Sequence, residues 1–359
     1  MNYQLFFTAI FSFVTATRAA VPVELEIVTQ RGVQITAPHE WLQLLAEMGL
    51  QNVRIRGGQS HEEPTISNSG TAEQPRYRVV GVLTARDQLR LPGGTFSRGD
   101  RARLKDYLDR LVADGAEALT APRGMFGLTE SEMKAVFADL AQPILFETKQ
   151  LPPRQVIDRL EGQLKLKFAM DSDSERMLAS ASPVGDEWKG LAAGTALAMM
   201  LRRDGLVLRP EKSRGQPVVY RVATGGTLAP ATSGRLVTPT ADRPGKPNDK
   251  TLHDWPIGWE PPRPAASLVP ALFEQINAEI DGYTLQETLE AIGPRLKIPI
   301  YLDHAALAAH GVEPAKVPVR MARTRAVYKR IIDRILAQAR LGSQVRVDEA
   351  GTPFLWITR

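Results

Sequence analysis

With 359 residues, 43% of them apolar and 24% charged, the chain has the composition of folded protein with room for two or three domains, which excludes a wholly disordered chain. It contains no cysteine, so thiol catalysis, disulfide frameworks and cysteine-based zinc sites are all removed. The 45 basic and 40 acidic residues leave a net charge of +5, too even a balance to mark a nucleic-acid binder by charge alone.

Leu5 to Val14 is an apolar run of about ten residues followed by small-residue sites at Val14-Thr15-Ala16 and Thr17-Arg18-Ala19. The run is too short to span a bilayer, and residues 1–20 are expected to be a signal peptide, although no Lys or Arg precedes Leu5. No later stretch approaches 18 apolar residues. The expectation is an exported protein of the periplasm or cell envelope, without a transmembrane span in its mature form.

Residues 21–142 read as an N-terminal α+β domain. Val23 to Val28 is a strand, and Pro38 to Met48 is a helix with Trp41, Leu44, Leu45 and Met48 on one face and Gly49 as its stop. Val53 to Arg56 completes a βαβ unit. Gly57 to Arg76 is polar and reads as a mobile surface loop. Tyr77 to Thr84 is a strand, Pro92-Gly93-Gly94 a turn, and Asp100 to Ala113 an amphipathic helix ended by Gly115. Thr129 with Glu132 predicts a capping box ahead of Met133, Val136, Phe137 and Leu140.

Two later blocks repeat one another. Residues 143–223 hold Phe146-Glu147-Thr148, Pro153 to Leu160 and Leu164 to Asp171; residues 267–359 answer with Ala278-Glu279-Ile280, Leu285 to Ile292 and Leu296 to Asp303. Ile157 falls on Leu289, Leu160 on Ile292, Phe168 on Ile300 and Met170 on Leu302 at a single offset. After a variable stretch, Ala196 to Leu206 matches Ile331 to Leu341, and Val218 to Val222 is set against Phe354 to Thr358. Each block reads strand, helix, strand, variable loop, helix, two strands. Fold class is therefore α+β and multidomain, with two repeated small βαβ-βα-ββ domains behind the N-terminal βαβ-containing domain. Residues 224–266 are rich in proline and read as an extended linker. Trp255 and Trp259 interrupt it, because two indoles are costly to leave in water. They are expected to dock onto a neighbouring domain, with a partner-binding anchor as the alternative.

Arg154 to Leu160 with Leu166-Lys167-Phe168, then Thr195 to Leu201 with Gly205 to Leu208, carry a helix-and-strand pattern that the second block repeats in Gln286 to Leu289, Ile298 to Tyr301 and Val319-Arg320-Met321 before Ala326 to Ala339. The pattern resembles the short N-terminal domain (STN) shared by secretins and TonB-dependent receptors. The resemblance covers fewer than half the residues and rests mainly on hydrophobic periodicity. It implies non-enzymatic domains that dock on envelope proteins, stack on one another or pass a signal to a membrane regulator. Arg359 closely follows the last strand, so a channel or barrel is not expected, and the N-terminal domain reads as a degenerate third copy.

Candidate chemistry is sparse. His39-Glu40 lacks a second histidine one turn on, and His61-Glu62-Glu63 lies in the most polar loop. Asp303, which matches Asp171, reads as a turn cap rather than a metal ligand beside His304 and His310. Pro92-Gly93-Gly94-Thr95 lacks the Gly-Lys-Thr ending of a phosphate loop, and no nucleophile elbow occurs. No cofactor, metal or catalytic residue is expected. The strongest charged feature is placed on the last helix, where Arg320, Arg323, Arg325, Lys329, Arg330, Arg334 and Arg340 face Asp333 alone. Arg323, Arg325, Lys329, Arg330 and Arg334, with Trp255 and Trp259, are the partner-binding candidates. The partner would be an envelope protein or an anionic envelope polymer. One alternative is an envelope hydrolase or polymer-modifying enzyme with its site around His39, His61 and Gly93-Gly94; another is nucleic-acid binding through the basic C-terminal helix.

Overall fold

The computed structural model describes residues 23–58, 62–71, 74–225 and 254–359; the expected signal peptide over residues 1–20, His61 and most of the expected linker lie outside the described residues. Helices and strands mix in several small sheets, an α+β fold in two units, Met1–Ala121 and Pro122–Arg359.

In the first unit, β1 (Val23–Thr29) buries Val23, Leu25 and Ile27 at alternate positions. Helix α1 (Ala37–Glu47) buries Ala37, Trp41, Leu44 and Leu45 against the sheet, and β2 (Val53–Gly57) returns parallel to β1, completing the expected βαβ crossover. The polar stretch read as a loop contains a strand, β3 (Thr65–Asn68), which pairs antiparallel with β4 (Tyr77–Leu83). Its residues bury almost nothing, so hydrophobic alternation does not reveal it. β4 lies parallel to β1 on the side away from β2, and the hairpin of β5 (Gln88–Leu91) and β6 (Gly94–Ser97) extends the sheet. Gly93 turns that hairpin at φ +79°, where a Cβ would stand 2.3 Å from the Leu119 carbonyl oxygen. Helix α2 (Arg101–Asp114) buries Leu104, Tyr107, Leu108 and Leu111, and a short α3 (Glu117–Thr120) follows.

The second unit begins earlier than the expected boundary at residue 142. Helix α4 (Glu130–Leu140), started by the predicted Thr129–Glu132 capping box, buries Val136 and Leu140 in the core of the first repeat. That repeat continues through α5 (Pro153–Gln163), β7 (Phe168–Met170), α6 (Ser172–Ser180), α7 (Ala193–Arg203), β8 (Leu206–Lys212) and β9 (Val218–Thr224). After a short α8 (Ala265–Leu268), the second repeat runs β10 (Gln275–Thr284), α9 (Leu285–Leu296), β11 (Ile300–Leu302), α10 (His304–Ala309), β12 (Pro318–Val327), α11 (Tyr328–Gln338), β13 (Gly342–Val347) and β14 (Pro353–Thr358).

The two repeats share one topology. The sheet orders β7-β9-β8 and β11-β14-β13 correspond strand for strand, each with a parallel pair followed by an antiparallel one. Phe168 faces Tyr220 as Ile300 faces Leu355, which sets Val218 on Pro353 and Val222 on Ile357. This corrects the expected match of the last strands by one residue, a slip that exchanges the faces of a strand. The ribbon of β10 and β12 has as its counterpart the isolated antiparallel bridge between Pro143 and Ala192. The first unit does not follow this plan, since β1 pairs in parallel with both β2 and β4; it is not a third copy.

Packing joins the repeats. Leu355 and Ile357 of β14 face their own helices, whereas Phe354 and Trp356, with Tyr301 and Val347, belong to the core of the first repeat. Between the two sheets runs α7, buried at every residue from Ala193 to Leu201. A helix apolar on all sides is stable only when covered on all sides, and the second repeat supplies the missing cover. Burial of each aromatic at this seam contributes roughly 2 kcal/mol.

Candidate functional site

Two regions concentrate polar chemistry. The first is the seam between the repeats. Helix α7 starts without a side-chain cap of its own. Its free amides are met by the β13–β14 turn: Asp348 Oδ2 accepts from the Ala192 N–H at 3.0 Å, and Glu349 Oε2 accepts from the Thr195 N–H at 3.1 Å and its hydroxyl at 2.9 Å. The carboxylates also lie at the positive end of the helix dipole. Glu349 Oε1 accepts further from the indole N–H of Trp255 at 2.6 Å and of Trp259 at 3.3 Å. Burial pushes the Glu349 carboxyl up to about 7, against the hydrogen bonds from Trp255 and Thr195, while the Asp348 charge adds to the rise.

Trp255 and Trp259, expected to dock on a neighbouring domain or to anchor a partner, are 4% and 1% exposed. Burial corrects the second alternative: both are internal anchors. The Trp255 N–H donates to the Leu208 carbonyl of the first repeat, and Trp259 forms a two-way backbone bridge with Val347 of the second. The segment 254–259 is thus a strap across both sheets rather than extended linker. Phe126 and Phe137 flank its indoles at centroid distances of 5.8 and 5.4 Å.

Further seam contacts lie at the other end of α7. Asp303, 1% exposed, caps α10 through the Ala306 N–H as expected, accepts from the Thr358 hydroxyl, and pairs with Arg202 at 3.2 Å. His304 Nε2 lies 2.8 Å from Asp186 Oδ2, and the hydrogen bond to Asp186 raises the His304 imidazole above its usual range against the effect of burial.

The second region is the basic surface of the last repeat. Arg320, Arg323 and Arg325 were placed on the final helix; they stand on β12, because α11 starts only at Tyr328. Of the candidates on α11, Lys329 is engaged by Asp333 at 2.6 Å, and Arg330 and Arg334 are exposed. Gln338 holds both the N–H and the carbonyl of Arg320 at 3.0 Å, so α11 folds back along β12. Counting back along the helix by its rise, Arg334 lies about 6 Å and Arg330 about 12 Å from that tether, level with the stretch of β12 that carries Arg323. Arg320 pairs with Asp281 of β10, and the register sets Glu279 against the Ala322–Arg323 bulge. Arg323, Arg325, Arg330 and Arg334 make no ion pair among the described residues.

The described residues of the enzymatic alternative lie on separate elements. His39 is exposed on α1, Gly93 and Gly94 belong to a hairpin turn, and His61 lies outside the described residues. Glu40 and Asp87 share Arg98, and Asp87 accepts from the Trp41 indole at 2.9 Å, which fixes α1 to the sheet. Among the described residues no group of three or more His, Cys, Asp and Glu side chains is placed to hold a metal ion, and no helix is long and apolar enough to cross a membrane.

Gly194, Thr195, Asp348 and Glu349 are the seam residues that the sequence did not single out. A signal was present: under the repeat alignment the turn Asp348-Glu349 corresponds to Ser213-Arg214, so that Glu349 stands where the first repeat has an arginine and Asp348 where it has a neutral serine. Comparison with protein-family models, curated proteins and solved structures finds no match to this chain.

Proposed function

We propose that the protein is a non-enzymatic interaction protein of the cell envelope, exported by its leader, in which tandem STN-like domains form a fixed platform for an envelope protein or anionic envelope polymer. One observation carries this reading: the buried carboxylates Asp303, Asp348 and Glu349 are all committed to joining the two repeats. Their chemistry is spent on holding two recognition domains in one orientation, as an assembly protein requires. The basic surface of the second repeat is the side from which a partner is met. The experiment is a crosslinked pulldown from an envelope fraction with the leaderless chain, beside a variant with Arg325, Lys329, Arg330 and Arg334 changed to Glu. A component retained by the first and lost by the folded variant is expected; failure to retain any component with either chain sinks the reading.

A further inference from the structure

The seam inside the molecule shows what the outer face of α11 is shaped to receive. Helices α7 and α11 are both eleven residues long and occupy the same place in the two repeats. On α7, Gly194 and Thr195 meet Glu349 of the second repeat, and the buried Ala198 and Met199 follow them one turn on along the same side. At the matched positions α11 carries Lys329, Arg330, Asp333 and Arg334, and Arg330 and Arg334 are exposed. Like α7, α11 begins without a side-chain cap. In the first repeat this position is filled by an acidic turn, Asp348-Glu349, arriving at the edge of a sheet. In the second it is open and lined by arginines, whose planar forks suit carboxylates.

We propose that Lys329, Arg330 and Arg334 of α11, with the adjoining Arg323 and Arg325 of β12, dock an acidic β-hairpin turn of a different protein, as α7 receives Asp348 and Glu349 of this chain. The proposal rests on reading the chain as a tandem interaction protein. A second copy is the wrong occupant: the sheet it would offer at its free end turns through Ser213-Arg214, positive where the internal joint is negative. The outer side of that sheet also differs: Arg221, paired to Glu211, stands where the second repeat has Trp356, the smaller Val219 stands where it has Phe354, and Arg209 beside them is paired to Asp254. Head-to-tail stacking therefore stops at two repeats, and the acidic partner must come from elsewhere.

The test uses the full leaderless chain and two fluorescent, disulfide-stapled synthetic β-hairpins that differ only in the turn, Asp-Glu-Ala-Gly-Thr in one and Ser-Arg-Gly-Gln-Pro in the other. Fluorescence anisotropy reads affinity, and hydrogen exchange reads location. The acidic hairpin is expected to bind, to protect the first turns of α11, and to lose about tenfold or more in affinity with Arg330→Glu/Arg334→Glu. A control, Arg295→Glu/Lys297→Glu, is expected to bind as the parent does; these side chains are exposed on and just beyond α9. Should the Glu variant lose its cooperative melt, Arg330→Gln/Arg334→Gln replaces it. Equal binding of the two hairpins, equal loss in test and control variants, or protection away from α11 overturns the proposal. So does binding of phosphatidylglycerol vesicles through the same arginines without binding of the acidic hairpin, which assigns the surface to lipid. An empty pulldown with hairpin binding intact removes the envelope partner and leaves this surface standing.

Discussion

Glu349 shows how one buried carboxyl can set the pH response of a fold. Its folded pKa is raised from 4.5 to about 7, so the stability linked to it is fully present below about pH 4.5 and is lost as pH rises through 7. His304, also raised, acts in the same direction. Asp171 and Glu287, held low by the amides of their helix caps, act in the opposite direction only in more acidic solution. The unfolding free energy from urea titrations is therefore expected to fall between pH 5 and 8 by on the order of 2 to 3 kcal/mol, with the midpoint falling alongside, and Glu349→Gln should flatten most of that slope. A midpoint that rises over this range would refute the assignment. Two glycines give a paired test. A Cβ on Gly194 would stand 2.6 Å from Trp255 Nε1 and 2.7 Å from Glu349 Oε1, whereas one on Gly162 meets nothing within 4 Å. Chemical denaturation should show Gly194→Ala losing about 1 to 3 kcal/mol and Gly162→Ala gaining about 0.5 to 1 kcal/mol, despite the same gain in helix propensity.

At the level of elements, α7 and α11 show one helix position used in two ways. Periodicity finds both helices, and the stripe of Ile331, Ile332, Ile335 and Leu336 correctly marks the buried side of α11. For α7 the run from Ala193 to Leu201 has no polar side, which signals a helix covered twice without naming the cover. Exchanging the matched residues tests this difference. Met199→Arg should abolish a cooperative melt or cost several kcal/mol by burying an unpaired charge, while Arg334→Met should shift stability by less than about 0.5 kcal/mol. Equal tolerance of the two changes would mean that α7 is not enclosed as described. The strand β3 is the element that the sequence concealed, because its stability comes from edge pairing with β4 and not from a buried side.

For the whole molecule, the division at Ala121 and Pro122 contrasts with the join between the repeats. Residues 122–359 share a core that includes side chains from both repeats, so they should unfold together. Expressed alone, residues 122–359 are expected to melt in a single transition. Residues 122–225 should be insoluble or molten, because α7 would expose the side now covered by Phe354, Trp356 and the strap. A soluble, cooperatively folded fragment of residues 122–225 would show that the seam is dispensable.

Much of this architecture is local and was therefore readable from the chain: the βαβ opening, the Thr129 cap, the Asp303 cap, and the repeat with its helices and paired strands, all of which follow from side-chain period and short-range hydrogen bonding. The candidate arginines were equally visible as a charge run, although their division between β12 and α11 was not, since the helix start at Tyr328 lacks a side-chain cap. Burial of Trp255 and Trp259 was expected from the cost of leaving indoles in water, but tertiary structure alone decided which surfaces bury them, that α4 belongs to the second unit, and that Asp348 and Glu349 close the start of a helix more than a hundred residues earlier. Burial and pairing between distant segments depend on which surfaces meet in space. No period along one chain encodes that meeting; its local traces were the unbroken apolar run of α7 and the change from Arg214 to Glu349 between two matched turns.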